Sequence, residues 1–213
     1  MMFVNRDEAG ILLARKLKEY SGRKNVVLMS VPRGGIQIGY RVAKELSLPL
    51  EVIISKKIPH PDNSEVAIGA VTRRANYIDA KSVEAYGVPE EYIEENKKFL
   101  KIVAERRHST YHEGIQEIKI AGKIAILVDD GIATGHTIRA ALKEIKKDKP
   151  KKIILAVPVI NPTLVKPMKA MADEIIYIYS PENFRAVGQF YSDFGQIGDR
   201  RALELFQELR SGR

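Results

Sequence analysis

The chain has 213 residues, of which 45% are hydrophobic and 29% are charged, so it can bury a core and has an ordinary globular composition. It contains no cysteine, which excludes disulfides and thiolate chemistry, and no apolar run is long enough to cross a bilayer. The formal net charge of +8 suits either a cleft that attracts anionic small molecules or nonspecific binding of nucleic acid.

The strongest basic run, from Lys143 to Lys152, follows a predicted helix. Lysines there complement a helix C-terminus, so we interpret the run as a solvated face and not as a nucleic-acid patch. The first residues include charged side chains and no apolar segment of the secretory type. We therefore expect a cytoplasmic protein with no membrane partner.

Strand and helix patterns alternate along most of the chain. In the first part of the chain we predict a helix at Asp7 to Tyr20, a strand at Asn25 to Val31, a helix through Ile38, Val42 and Leu46, and a strand at Leu50 to Ile54. A hairpin or flap within Glu65 to Ile78 and a helix from Pro89 follow. The last part is predicted to contain a strand at Ile124 to Val128 with a helix after it, a strand at Lys152 to Val157, a helix at Thr163 to Ala172, a strand at Glu174 to Tyr179, and a helix at Gly198 to Leu209.

Strands separated by helices predict an α/β fold, with a parallel sheet flanked by helices on both faces. No repeat or linker divides the sequence, so we expect one domain over 1–213. Two segments interrupt the alternation: an insertion over 56–122, with a flap and a helix, and a C-terminal segment over 181–213. In such sheets ligands bind beyond the carboxyl ends of the strands.

The most informative segment is KIAILVDDGIATGHT, from Lys123 to Thr137. Its apolar strand is followed by Asp129 and Asp130, and then by a loop of small residues that leads into a helix. Backbone N–H groups of such a loop and of the first helical turn bind phosphate, and the Thr134 and Thr137 hydroxyls can donate to the same oxygens. Two adjacent carboxylates accept hydrogen bonds from vicinal hydroxyls. The combination predicts a pocket for ribose 5-phosphate.

Two other phosphate loops are excluded by spacing. Gly131 and Gly135 are separated by three residues, whereas a Walker A loop has four, and no Gly-Lys-Ser/Thr follows them. The dinucleotide G-x-G-x-x-G is also absent. An ordinary strand-to-helix turn would explain neither the paired aspartates nor the second threonine.

The segment resembles the signature for 5-phosphoribosyl 1-pyrophosphate (PRPP) of the type I phosphoribosyltransferases. The chain is similar to a little-characterised subgroup of that family through the phrases VPRGG, AIGAV, DDGIATG and FRAVGQFYSDFGQ. The resemblance implies transfer of a phosphoribosyl group from PRPP to a nitrogen acceptor, with release of diphosphate and with Mg²⁺ bound alongside PRPP. A regulatory protein that senses PRPP or a nucleotide without turnover is the alternative.

The resemblance assigns PRPP binding to the whole loop after the signature strand. That set is Asp129, Asp130, Gly131, Ile132, Ala133, Thr134, Gly135, His136 and Thr137. His136 lies within the loop, and we expect its side chain to point to solvent.

A second polar strand end is Arg33-Gly34-Gly35. The two glycines free the backbone to approach a ligand, and Arg33 offers a planar cationic fork for phosphate oxygens. In isolation, a structural turn would be the better explanation of this tripeptide. The resemblance implies that it is the diphosphate loop, which in the family often contains a cis peptide.

Lys56 and Lys57 form the third strand end, and with Arg33 they are the candidate catalytic residues. Successive strand residues face opposite sides, so one lysine should point into the cleft, and the sequence does not say which. The other is explained by solubility. In the family a mobile loop beyond this position covers the diphosphate and excludes water.

The acceptor is not readable from the sequence; a nucleobase or related heterocycle is expected. Phe184, Phe190, Tyr191 and Phe194 could stack on a flat acceptor, or could anchor the C-terminal segment to the core. Hypoxanthine and guanine enzymes of the family carry an Asp at the position of Ala133, so we expect a different acceptor; Glu65 could still act as a base.

No metal-ligand spacing links the four histidines. The expected partners are PRPP and a small acceptor, and a homodimer is compatible with the sequence.

Overall fold

The computed structural model of the protein describes residues 2–210. Residue 1 of the predicted domain and residues 211–213 of the predicted C-terminal segment lie outside this range. Within it the strands are β1 (Val26–Ser30), β2 (Leu50–Val52), β3 (Ser55–His60), β4 (Asn63–Thr72), β5 (Asn76–Ile78), β6 (Ile124–Val128), β7 (Lys152–Val159) and β8 (Glu174–Tyr179). The α-helices are α1 (Arg6–Lys16), α2 (Gly34–Leu46), α3 (Ala80–Tyr86), α4 (Glu90–Tyr111), α5 (His136–Lys147), α6 (Pro162–Lys169) and α7 (Asp199–Arg210).

Five strands form one parallel sheet in the order β2-β1-β6-β7-β8. The chain runs outward from β1 to β2 on one side and from β6 to β8 on the other. The strand order therefore reverses between β1 and β6, whose last residues, Ser30 and Val128, are paired. A ligand crevice is expected outside the carboxyl ends of the strands at such a point.

Helices cover both faces of the sheet. On one face α1, α2 and α7 bury a core that includes Leu13, Leu28 and Phe206. On the other face α5 and α6 bury Leu127, Ile145 and their neighbours. The predicted α/β fold with a parallel sheet flanked on both faces is confirmed.

A second sheet forms the flap of the insertion. It is antiparallel, in the order β3-β4-β5, and packs against α4 and α5. Ile58, Ile68 and Ile93 belong to its small separate core. The flap was expected from Glu65 onward, whereas its first strand begins at Ser55. The sequence did not signal this strand because the segment Lys-Lys-Ile-Pro carries little of the alternation typical of a strand.

A residue near the start of the chain pairs with the C-terminal segment beside the main sheet. Phe3 forms a parallel bridge with Tyr191, and the Phe3 N–H donates to the Phe190 carbonyl at 2.7 Å. This contact holds residues 187–197 across the edge of the sheet where the strands end. No helix in residues 2–210 has the length and apolar composition of a membrane span.

Candidate active site

A cavity of about 450 Å³ opens where β1 and β6 end. Its walls come from five separate segments of the chain. They are Val31 to Gly34 after β1, Ser55 and Lys57 in β3, Asp129 to Gly135 with Thr137 and Ile138 after β6, and Arg6, Val187, Gln196 and Ile197 from the two ends of the chain.

The loop after β6 has the form expected of a phosphate cradle. The Ile132 side chain is buried, and its backbone N–H donates to the Val159 carbonyl at 3.0 Å, which ties the loop to β7. Gly135 has a φ of 75°, and a Cβ there would collide with Met168. Helix α5 starts at once, with no side chain capping its first N–H groups. Those donors remain for an anion.

The two threonines of the loop line the cavity as expected. Thr134 is exposed and Thr137 half-buried. Across residues 2–210, neither hydroxyl has a protein hydrogen-bond partner. Both are therefore free to donate to phosphate oxygens.

His136 differs from its expectation. Its side chain is buried, stacks on Tyr77 with ring centroids 5.7 Å apart, and places Nε2 3.6 Å from Asp79 Oδ2. Burial lowers the pKa of His136, and the nearby Asp79 opposes that shift. The expectation of a solvent-facing side chain was wrong because the flap, distant in sequence, brings Tyr77 against α5. Only the backbone of His136 can take part in the predicted loop.

Asp129 and Asp130 line the same cavity side by side. Asp129 Oδ1 accepts the backbone N–H of Asp130 at 2.9 Å. Asp130 Oδ2 accepts from Arg6 Nε at 2.8 Å, and the Asp130 carbonyl accepts from the Tyr191 hydroxyl at 2.6 Å. The pair is thus held in a fixed orientation and presents acceptor oxygens to the cavity.

The environment disfavours a double negative charge at this pair. Burial, and then the adjacent charge of Asp130, raise the pKa of Asp129 well above its ordinary value. Burial also raises the pKa of Asp130, and Arg6 opposes that shift. The positive charge of Lys57, like that of Arg6, lowers the pKa of both carboxyl groups and so opposes the shift caused by burial. A cationic or hydrogen-bond-donating ligand would stabilise the charged forms.

The loop after β1 lies directly against these carboxylates. The peptide bond between Pro32 and Arg33 is cis, in agreement with the trait carried over from the resemblance. A Cβ at Gly34 would collide with Asp130, and a Cβ at Gly35 would lie 2.6 Å from Asp129 Oδ1. Only glycine permits this approach of the two loops.

Arg33 lines the cavity, and its side chain is 46% exposed. Its Nε lies 3.8 Å from Asp199 Oδ1 at the start of α7. A pair so exposed holds the guanidinium weakly, so Arg33 can turn to an anionic ligand at small cost.

The structure distinguishes the two lysines. Lys57 lines the cavity, whereas Lys56 lines a separate groove between α4 and α7. Burial and the positive charge of Arg107 lower the pKa of Lys56. Alternation along β3 turns Lys56 away from the cavity, so the structure does not support the candidate role for Lys56, and Lys57 is the lysine that faces the cavity.

The four aromatic residues of the C-terminal segment do not line the cavity. Phe190 and Tyr191 are buried, and Tyr191 packs on Phe3 with ring centroids 5.2 Å apart. Phe184 packs on Phe190, and Phe194 packs on Tyr191. In this arrangement the rings anchor the segment, and the acceptor-stacking prediction is not supported.

Arg6 is the principal site residue that sequence reasoning missed. Its guanidinium is buried, lies 3.8 Å over the Phe194 ring, and donates from Nη1 to the Gly195 carbonyl at 2.8 Å. It is 124 positions from its partner Asp130, and no local pattern signals such a pairing. Val187, Gln196 and Ile197 also line the cavity and were not singled out.

Residues 2–210 contain no cluster of three or more His, Cys, Asp or Glu that could hold a metal ion. Asp129 and Asp130 offer hard oxygen ligands of the kind that Mg²⁺ accepts, but too few to enclose it. Such a donor set fits an ion that a ligand's own oxygens bring into the site.

The sequence matches the family model described as the phosphoribosyl transferase domain over residues 6–194. The chain belongs to the phosphoribosyl transferase family. The match includes Arg6, both glycine-containing loops and the flap.

Known relatives agree with this membership. A Mycobacterium tuberculosis protein named "Putative phosphoribosyl transferase Rv0571c" is 34% identical over 209 residues, which are 93% of this chain and 45% of that protein. The chain thus spans about half the length of the curated relatives it matches.

Solved structures share the fold. TT1426 from Thermus thermophilus superposes with a TM-score of 0.80 at 32% identity, covering 98% of this chain and 99% of that one. The AQ2163 protein from Aquifex aeolicus gives a TM-score of 0.52 at 15% identity, covering 86% of this chain and 76% of that one, and shows the fold alone.

Proposed function

We propose that the protein transfers a phosphoribosyl group from PRPP to a nitrogen acceptor. The observation that carries the proposal is the convergence on one cavity of the loops after β1 and β6 and of strand β3 of the flap. These segments supply a phosphate cradle, a pair of diol acceptors and a cationic site. They correspond to the three parts of PRPP, which are the 5-phosphate, the ribose and the diphosphate.

In the proposed complex the 5-phosphate binds the backbone N–H groups of residues 131–137 and the Thr134 and Thr137 hydroxyls. The ribose hydroxyls donate to Asp129 and Asp130. The diphosphate lies between Arg33 and Lys57, near the amide of Gly34.

The proposed reaction breaks the bond between C1 of the ribose and the diphosphate oxygen. The bonding electrons leave with diphosphate, and the acceptor nitrogen supplies the pair that forms the new bond to C1. The hydrogen on that nitrogen is released to water as a proton. The transition state resembles an oxocarbenium ion, so the protein acts by fixing the ribose and stabilising the departing charge. Arg33 and Lys57 supply that stabilisation.

Mg²⁺ belongs to the proposal as an ion carried with PRPP. When bound, it would neutralise charge on the diphosphate. Asp129 and Asp130 are the cavity residues with oxygens suited to it, directly or through water. The remaining ligands would come from the substrate.

Ala133 lines the cavity and has no titratable group. We propose that the acceptor is not handled as hypoxanthine or guanine are by enzymes with an Asp there. The flap residue Glu65 is exposed and does not line the cavity, so a role as base would require the flap to move.

The deciding experiment supplies labelled PRPP and Mg²⁺ with a panel of bases and measures diphosphate release. Release that requires both an acceptor and Asp130 is expected, with Asp130→Asn as the inactive control. PRPP binding without release for any acceptor would favour the sensing alternative. No PRPP binding at all would refute the pocket assignment.

A further inference from the structure

Helix α4 carries an exposed apolar pair on a helix that is otherwise rich in charge. Phe99 is 63% exposed and Ile102 is 69% exposed. Residues three apart on a helix are neighbours, so the two side chains form one patch, with half-buried Val103 beside it. Clustered exposed apolar side chains mark interaction surfaces, whereas single ones are ordinary.

Opposite charges flank this patch at equal distances. Glu95 lies four residues before Phe99, and Arg106 lies four residues after Ile102. Spacings of four, three and four residues place all four side chains on one face of α4. We call Glu95, Phe99, Ile102 and Arg106 the α4 stripe.

The end charges of the stripe have no ion-pair partners within the described residues. Across residues 2–210, neither the Glu95 nor the Arg106 side chain makes an ion pair. By contrast, Glu94 of the same helix pairs with Lys97 at 2.6 Å. The stripe therefore presents one free anion, an apolar centre and one free cation.

The stripe is symmetric about the middle of its helix. The middle of α4 (Glu90–Tyr111) lies between Leu100 and Lys101. The midpoint between Phe99 and Ile102 falls at the same place, and so does the midpoint between Glu95 and Arg106. A two-fold axis there would place Phe99 against the partner's Ile102, and Glu95 against the partner's Arg106. Both contacts then occur twice, as in an isologous interface.

We propose that a second copy of this chain binds the α4 stripe, with the two α4 helices antiparallel across a two-fold axis. A parallel pairing in register would oppose like charges at both ends and is disfavoured. An unrelated partner would have no need for a charge pattern that complements itself when reversed. Self-complementarity identifies the occupant as a copy of this chain.

The proposal does not depend on the proposed function. None of the four stripe residues lines the cavity of about 450 Å³. The opposite side of α4 is buried at Ile93 and Ala104, and Ile93 belongs to the small core of the flap. Association can therefore be measured without reference to turnover.

Sedimentation equilibrium of the full chain tests the proposal. A concentration series that reaches ~100 µM covers the affinities of ordinary interfaces, which extend to the micromolar range. The expected mass is about twice the 23.9 kDa of the single chain. A mass of one chain throughout the series would overturn the proposal.

Two charge reversals test the antiparallel arrangement. Glu95→Arg alone and Arg106→Glu alone each oppose like charges at both ends, and each should raise the dissociation constant about tenfold or more. An equimolar mixture of the two variants should recover wild-type affinity, because the introduced cation then faces the introduced anion. A mixture as weak as either variant alone would refute this register.

A third variant tests the apolar centre. Phe99→Ser with Ile102→Ser should give a single-chain mass, and since both side chains are exposed the fold should be retained. Glu182→Arg, an exposed reversal in the loop after β8, is the matched control and should leave the dimer unchanged. A dimer that survives the double serine variant would show that another surface is used.

Discussion

Replacing Arg6 by Met should destabilise the protein because the carboxylate of Asp130 would lose its cationic partner. In the native chain the Arg6 side chain is 8% exposed and that of Asp130 is 15% exposed, with Nε and Oδ2 2.8 Å apart. Methionine keeps much of the apolar stem and its packing on Phe194 but removes every donor. The carboxylate then remains in a largely desolvated position without its cation.

The expected magnitude follows from the geometry of this pair. Removing one partner of a fully buried ion pair costs about 3–5 kcal/mol. Because Asp130 keeps some contact with water, we expect about 2–4 kcal/mol. For a chain of this length that corresponds to a decrease in melting temperature of about 5–15 °C.

The loss should also depend on pH. Arg6 opposes the rise in the pKa of Asp130, so its removal moves that pKa still further above the unfolded value. A carboxyl group with a raised folded-state pKa favours the native state at low pH, and this contribution is lost as pH rises through the folded pKa. Arg6→Met should therefore be more damaging near neutral pH than under acidic conditions, where Asp130 binds a proton.

Urea unfolding at several pH values measures these effects through the midpoint at constant slope. Arg6→Met with Asp130→Asn should recover part of the loss, since the uncompensated charge is gone. Arg41→Met is the matched control: its pair with Glu45 is 2.9 Å long but 30% and 39% exposed, so at most about 1 kcal/mol is expected. A loss in Arg6→Met no larger than in this control, or one independent of pH, would refute the reasoning.

Four further predictions concern the cavity. Asp129→Asn should abolish PRPP binding in calorimetry and yet raise the melting temperature near neutral pH. The melting temperature should rise because the folded state no longer holds a carboxyl group whose pKa is raised by burial and by Asp130. A fall in melting temperature would contradict this. Lys57→Ala should weaken PRPP binding by about tenfold or more, whereas Lys56→Ala should leave it within about twofold; equal effects would refute the assignment from the cavity. Arg33→Ala should reduce affinity for PRPP and diphosphate more than for ribose 5-phosphate, and equal losses for all three would contradict its placement. Because Ala133 has no titratable group, hypoxanthine and guanine should turn over more slowly than adenine or uracil; general base assistance is worth about 10²–10⁴-fold, so the reverse order would be obvious in the rates.

Local patterns predicted the main sheet because its strands are mainly apolar runs between turn signals, fully buried in β1, β2 and β6 and half-buried along the whole of β8. The interval from Glu174 to Tyr179 agrees with β8 at both ends, and the strand from Ile124 to Val128 agrees with β6. The helix α3 (Ala80–Tyr86) was not predicted, because it buries no side chain fully and so lacks an apolar face.

Contacts between distant segments account for what sequence reasoning lacked at the cavity. The signature loop could be proposed from the sequence because phosphate binding needs small residues and N–H donors within one short segment, and the structure places that loop at the cavity. Arg6 reaches the cavity only through the packing of α1, and the orientation of His136 depends on Tyr77 in the flap. The choice between Lys56 and Lys57 required the register of β3 with β4.

The two loops that form the cavity depend on each other sterically and electrostatically. Gly34 and Gly35 lie so close to Asp130 and Asp129 that a methyl group at either position would displace a carboxylate. The same approach excludes water and raises the pKa of both acids, a cost that Arg6 and Lys57 reduce. An anion held at the β1 loop must therefore sit within a few ångströms of groups that would repel it. We propose that the ligand suited to this arrangement presents hydroxyl donors to the carboxylates and its negative charge to Arg33 and Lys57, as a phosphorylated sugar with a diphosphate at C1 does.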